Sequence, residues 1–172
     1  MVGYTGCGKS SLGRRTASRL GVRFVDTDTI IEEQEQASVR DIFRYEGEEH
    51  FRRAERMLLE RIAEEDDDMI VSTGGGAPIW GDNAEFMNDA GTTVYIRRPA
   101  GQIVRRLTPY GIAKRPRLQG MERDEMEAFM KRDIAEREPF YAKARYCLDG
   151  GGMSDRELIE ELIRIYNKGD EQ

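Results

Sequence analysis

Histidine is almost missing from this chain: His50 is the single copy in 172 residues, and only two cysteines, Cys7 and Cys147, accompany it. Neither cysteine has a metal-binding neighbour at ligand spacing, which argues against a zinc site. A disulfide between them is not needed in a reducing compartment. No apolar run reaches the roughly 18 residues that a spanning helix needs, and no basic-then-apolar leader precedes the first motif. These absences point to a cytoplasmic chain with no membrane partner. An excess of positive charge is lacking too. The 27 Lys and Arg face 33 Asp and Glu, a net charge of −6, which leaves no electrostatic basis for general nucleic-acid binding.

What the chain does have begins at Val2, with the stretch VGYTGCGKSS. Gly3, Gly8, Lys9 and Ser10 satisfy G-x-x-x-x-G-K-[ST], with Gly6 and Cys7 inside the loop and Ser11 after it. Glycines let the backbone turn tightly and aim successive N–H groups inward. The helix that follows adds its own unpaired N–H groups, and together they cradle phosphate. In such a loop Lys9 reaches the β- and γ-phosphates and the Ser10 hydroxyl ligates Mg²⁺. Cys7 is read as a small filler of the loop.

At 172 residues and 38% hydrophobic content the chain reads as one domain, 1–172, large enough for a real core. KSSLGRRTASRLG reads as a helix closed by Gly21, and VRFVDTD as a strand running into Asp26 and Asp28. Ser38 and Asp41 carry a capping signal. Phe51, Ala54, Leu58 and Ile62 recur at helical spacing from 48 to about 65. MIVST is a buried-strand pattern that runs into Gly74, Gly75 and Gly76; a helix over 82–88 and the strand TTVYI follow. Pro99 suits a first helical turn. Residues 108–122 hold two prolines, two glycines and three basic residues with weak periodicity, and read as a mobile loop. A helix over 124–138, the strand RYCL, a last helix capped by Ser154 and Glu157, and a tail over 167–172 complete the chain.

Strands alternating with helices predict an α/β fold, three layers deep, with a mainly parallel sheet. In such sheets ligands gather at the carboxyl ends of the strands. TGCGK, DTD and TGGG all fall at strand ends, so they converge on one crevice.

Over nearly its whole length the chain resembles the shikimate kinase family, P-loop enzymes similar to nucleoside monophosphate kinases. The resemblance rests on the P-loop together with FVDTD (24–28), IFRYEGEEHFRRAE (42–55), STGGGA (72–77), RPRL (115–118) and REPFYAKA (137–144). It implies a kinase that uses ATP and Mg²⁺ to phosphorylate the 3-hydroxyl of shikimate in aromatic amino acid biosynthesis, acting as a monomer. It also implies a lid at about 108–122 and a substrate-binding helical region at about 28–65. Two features depart from the family pattern. The strand ahead of the P-loop is reduced to Met1 and Val2, which we read as clipping of a chain that natively begins upstream. RPRL has Arg117 where the family usually carries an apolar pair after the proline.

The same resemblance implies individual roles. Asp26 joins Ser10 in the Mg²⁺ shell, while Asp28 binds the substrate hydroxyls and is the candidate base. Arg52 and Arg137 grip the substrate carboxylate, a task suited to planar two-pronged donors. Gly75, flanked by Gly74 and Gly76, admits substrate to the backbone. Arg115 closes over the phosphates as a lid arginine, and Arg106 covers the adenine face. Simpler roles stand beside these: Asp28 as a helix cap, Arg52 in an ion-pair ladder with Glu48 and Glu55, the glycines as a plain turn, Arg106 as a surface charge. His50 is assigned only a solvated helix position. Two other functions remain open: a kinase of another sugar acid such as gluconate, and a nucleotide-binding module without catalysis.

Overall fold

The computed structural model describes residues 1–113 and 115–169. Helix α1 (Lys9–Leu20) follows the opening glycines and ends at Gly21, whose left-handed φ of 74° lets its N–H return to the Ala17 carbonyl. Strand β1 (Arg23–Asp26) leads into α2 (Thr27–Glu35), α3 (Val39–Tyr45) and α4 (Glu48–Ala63). Strand β2 (Met69–Ser72) runs into the glycine triplet, a 3₁₀ turn (Ala77–Ile79) and α5 (Asn83–Ala90). Next come β3 (Val94–Arg97), α6 (Ala100–Arg106), the short α7 (Pro109–Ala113) and a second 3₁₀ turn (Pro116–Leu118). The chain finishes with α8 (Arg123–Tyr141), β4 (Tyr146–Asp149) and α9 (Asp155–Gly169).

All the strand pairing is parallel. β1 pairs with β2 from Arg23↔Met69 to Asp26↔Ser72, and β3 with β4 from Val94↔Tyr146 to Arg97↔Asp149. Residues 1–3 join the two pairs. The Met1 nitrogen donates to the Val71 carbonyl (2.6 Å) and the Met1 carbonyl accepts from Thr73 N–H (3.2 Å). On the other side Val2 N–H donates to Val94 (2.9 Å), and Ile96 N–H to Val2 (3.0 Å). The P-loop therefore leaves from the middle of the sheet, between the ends of β2 and β3.

Two apolar cores form. The larger gathers Leu12, Tyr95, Ile96, Ile103, Met130, Leu158 and Ile159 beneath the sheet helices; the smaller gathers Ile31, Ile42, Phe51 and Leu58 beneath α2, α3 and α4. Among the described residues no helix is long and apolar enough to cross a membrane. A cavity of about 410 Å³ opens at the amino ends of the strands, lined by Ile70, Val94, Leu162 and Ile165. It lies at the opposite end from the glycine loops.

The caps read from sequence are present. Ser38 Oγ accepts from Asp41 N–H (3.2 Å), and Ser154 and Glu157 bond reciprocally. Residues 108–122 are not wholly irregular: α7 and the Pro116–Leu118 turn lie within them, and Leu118 is buried. Short helical turns of this length have too few residues to show periodicity. Helix α8 continues through Pro139 to Tyr141, beyond the expected stop at 138. Packing of the buried Tyr141 in the larger core outweighs the hydrogen bond the proline removes. Helix α9 takes in 167–169 of the expected tail, and residues 170–172 lie outside the described residues.

Gly13 fixes how closely α1 approaches the sheet. A Cβ there would lie 2.7 Å from the Phe24 ring and 3.3 Å from Ile70 Cγ2. Gly13→Ala gains up to about 1 kcal/mol of helix propensity but overpacks this contact at a cost of about 1–3 kcal/mol. We expect a lower midpoint in urea unfolding with an unchanged slope. A raised midpoint would show that the sheet yields to the methyl group.

Candidate active site

The phosphate loop is shaped by backbone that other residues resist. Gly3 has φ 139°, and a Cβ on it would stand 2.8 Å from the Ile96 carbonyl oxygen; Gly8 precedes α1 at φ 109°. Lys9 is buried and folds back over the loop, its Nζ donating to the carbonyls of Gly3 (2.7 Å) and Tyr4 (3.1 Å). The Cys7 thiol is fully buried in the larger core, consistent with a filler, and its carbonyl accepts from Arg98 Nε (2.9 Å).

A cleft of about 190 Å³ opens at the carboxyl ends of the strands. Gly6, Gly8, Lys9, Ser10, Ser11, Asp26, Asp28, Gly75 and Arg115 all line it. Of the other residues singled out from sequence, Gly3 and Cys7 support the loop from behind, and Gly74, Gly76 and Arg52 adjoin the cleft through Asp28. Arg106 and Arg137 stand apart from its lining.

The two aspartates reach the cleft by different routes. Alternation along a strand end does not place them, because the strand stops at Asp26 and Asp28 sits in the first turn of α2. Asp26 is the helix cap, accepting from Thr29 N–H (3.4 Å), so the capping role considered for Asp28 belongs to its neighbour. Burial, with the nearby Asp26 charge, raises the Asp28 carboxyl above the ordinary range, while Lys9 and Arg52 pull it back. A carboxylate so placed accepts a proton more readily than a solvated one.

Across the cleft the glycine triplet is packed against charged groups. A Cβ on Gly74 would lie 2.6 Å from both Asp28 Oδ1 and Glu55 Oε1, and one on Gly76 would overlap the Arg52 guanidinium. Gly74 N–H donates to the Thr27 hydroxyl (3.0 Å), and the Tyr141 hydroxyl donates to the Gly75 carbonyl (2.6 Å). Arg52 does form the ladder with its neighbours: Nη1 donates to Glu55 (2.7 Å), and Nη2 and Nε to Glu48 (3.2 and 3.3 Å). The ladder and the approach to Gly76 coexist, so the ion pairs aim the guanidinium at the triplet. Glu55 lies on the apolar face of α4 with no exposed surface, and its Oε1 has no partner. Burial lifts its carboxyl to about 7 against the pull of Arg52.

Two arginines approach from the other side. Arg115 Nε donates to the Thr5 hydroxyl of the phosphate loop (3.1 Å), which brings the segment 108–122 against the cleft. Arg137 lies over the Tyr4 ring and pairs with Asp133 (3.2 Å). Arg106 is held by both oxygens of Asp155 (3.2 and 2.8 Å), with Nη2 3.9 Å from where a Gly8 Cβ would be. His50 is not simply solvated: its Nε2 meets Glu35 Oε1 at 3.1 Å.

Several supporting residues escaped the sequence reading. Arg98 is buried and ties the Cys7 carbonyl to Asp155, which lies 57 positions away, so no local pattern announces the link. Asp133 was findable, because it precedes Arg137 by one helical turn. Tyr141 sits one further turn on, and burial pushes its hydroxyl up to about 12, which keeps it a donor.

No group of three or more His, Cys, Asp or Glu among the described residues could hold a metal. Ser10 and Asp26 still bring a hydroxyl and a carboxylate to one cleft. Such a short all-oxygen set suits Mg²⁺, which keeps several waters and takes its remaining ligands from phosphates.

Comparison with known proteins gives a consistent result. The family model for shikimate kinase matches residues 5–167. A shikimate kinase of Bacteroides thetaiotaomicron is 41% identical over 166 residues, covering 95% of this chain and 93% of its own. The solved structure of the Acinetobacter baumannii shikimate kinase in complex with shikimate superposes with a TM-score of 0.83 at 30% identity, covering 97% of this chain and 90% of that one. A gluconokinase of Sinorhizobium meliloti reaches a TM-score of 0.56 at 15% identity, over 99% of this chain and 92% of its own, a likeness of fold alone.

Glu55 makes the stability of this site depend on pH. Between 4.5 and about 7 the folded chain keeps a proton that the unfolded chain has released, so the stabilisation is full at low pH and is lost as pH rises through about 7. The span corresponds to roughly 3 kcal/mol. Urea unfolding across this window is expected to give a steeper decline for the parent than for Glu55→Gln. Parallel curves would mean that Arg52 keeps Glu55 ionised throughout.

Proposed function

This chain belongs to the shikimate kinase family, and from that premise we propose that it transfers the γ-phosphoryl group of ATP to the 3-hydroxyl of shikimate with Mg²⁺ present. The observation that carries this reading is the convergence of Lys9, Ser10, Asp26, Asp28, Gly75 and Arg115 on one cleft. Arg52 and the glycine triplet stand at its side.

The phosphates lie against the loop N–H groups and the first turn of α1, and Lys9 turns from the carbonyls of Gly3 and Tyr4 to the β- and γ-oxygens. Ser10 and Asp26 would hold Mg²⁺, which would supply neutralising charge to the phosphate oxygens. Arg52 and Arg137 bind the substrate carboxylate and the backbone of Gly75 meets the ring, so the 3-hydroxyl faces Asp28. A bond forms from that hydroxyl oxygen to the γ-phosphorus as the bond to the bridging oxygen of ADP breaks, and the proton passes to Asp28. Arg115, carried by the lid 108–122, offsets the charge spread over the transferring group. Arg106 covers the adenine from beside Gly8. Action as a monomer in the cytoplasm belongs to the same proposal. The likeness to gluconokinase extends only to the fold, whereas the family model and a relative 41% identical over 166 residues favour shikimate.

ADP release measured with shikimate, with gluconate and with neither is expected to be fast only in the first case. Equal release in all three would remove the assignment. The aspartates divide the work: Asp26→Asn is expected to raise the Mg²⁺ requirement and to recover partly in excess metal. Asp28→Asn is expected to lose about 10²-fold or more in turnover with no rescue. Identical Mg²⁺ titrations of the two variants would contradict this division.

A further inference from the structure

The carboxylate of Asp133 is buried and serves three separate parts of the molecule. Oδ2 accepts from the hydroxyl of Tyr4 in the phosphate loop (2.7 Å) and pairs with Arg137 (3.2 Å), while Oδ1 faces Arg117 Nη1 at 3.6 Å. Arg117 also lies over the Phe129 ring of α8, at 4.8 Å, and its neighbour Leu118 is buried in the larger core. Two residues before Arg117, Arg115 reaches the phosphate loop at Thr5. Two arginines against one aspartate leave a surplus positive charge for an anion to neutralise. A guanidinium has five N–H groups in a fixed fork, so the pair with Asp133 orients Arg137 without exhausting it.

We infer that Asp133 is a positioning residue: it aims Arg137 at the carboxylate of the substrate and, through Arg117, fastens the segment carrying Arg115 to α8. The inference rests on the reading of Arg137 as a carboxylate ligand. It concerns orientation rather than charge, and the two have opposite signs. If Asp133 served only as a counter-charge, removing it would strengthen the local positive field and tighten an anionic substrate. If it orients the fork, removing it weakens the substrate although the field grows.

Asp133→Asn keeps the shape and an acceptor for Tyr4 while deleting the charge. In steady-state kinetics we expect KM for shikimate to rise about tenfold, with KM for ATP changed less than about twofold and the melting temperature nearly constant. An unchanged or lowered shikimate KM overturns the inference. The exposed Arg117→Leu, which leaves the core intact, tests the second half: in the parent alone, an unchanged shikimate KM overturns the link to Arg117 however Asp133→Asn folds. The substitution is expected to raise shikimate KM several-fold in the parent and to add almost nothing in the Asp133→Asn background, as shared networks do. Fully multiplicative effects overturn the link to Arg117. Activity of the parent on shikimate separates the readings: if the parent turns over shikimate and Asp133→Asn matches it, only this inference fails, whereas an inactive parent removes the functional reading as well.

Discussion

Met1 and Val2 accept and donate backbone hydrogen bonds to β2 and the adjoining Thr73 on one side and to β3 on the other, at 2.6 to 3.2 Å. Without that double ladder the molecule would be two separate parallel pairs, β1 with β2 and β3 with β4. The segment sets the distance between Ser72, which ends β2, and the loop that starts at Gly3. The Ser10 and Ser72 hydroxyls consequently stand 3.4 Å apart. The phosphate loop, the aspartate pair and the glycine triplet keep their mutual geometry because each leaves a strand whose register is fixed by this seam.

The charge of the site runs against that of the chain. With a net charge of −6 the surface as a whole repels anions, yet Lys9 and Arg115 line the cleft, and Arg52 adjoins it. The protein places these cations by pairing them selectively: Arg52 with Glu48 and Glu55, Arg137 with Asp133, Arg106 with Asp155. Each partner constrains an otherwise flexible side chain. Lys9 and Arg115 are the exceptions: loop carbonyls restrain Lys9, and the Thr5 hydroxyl with the Gly111 carbonyl restrains Arg115.

Much of this was legible in the sequence because it is local. The phosphate loop is a contiguous pattern, the caps at Ser38 and Ser154 depend on residues three apart, and the strand ends carry their aspartates and glycines with them. Illegible features depend on distance or on competition. Asp26 rather than Asp28 caps α2 because the strand stops at Asp26 instead of continuing to Asp28. Glu55 reads as an ordinary helix-surface acid, and only the packing of α4 on the triplet buries it. Arg98 and Asp155 meet from opposite ends of the second half of the chain. The segment 108–122 looked unstructured because α7 and the Pro116–Leu118 turn are each shorter than the periods that reveal a helix.

The glycine triplet is gripped by residues far apart in the chain: Thr27 at the Gly74 nitrogen, Tyr141 at the Gly75 carbonyl, and Asp28, Glu55 and Arg52 where side chains would otherwise project. Those occupants are polar, so a methyl group at 76 would push the Arg52 guanidinium from Glu48 and Glu55, and one at 74 would crowd the Asp28 and Glu55 carboxyls. A change at Gly74 or Gly76 therefore bears on residues 28, 52 and 55 as well, so a substitution at this wall alters the placement of charge in the site and not only its shape.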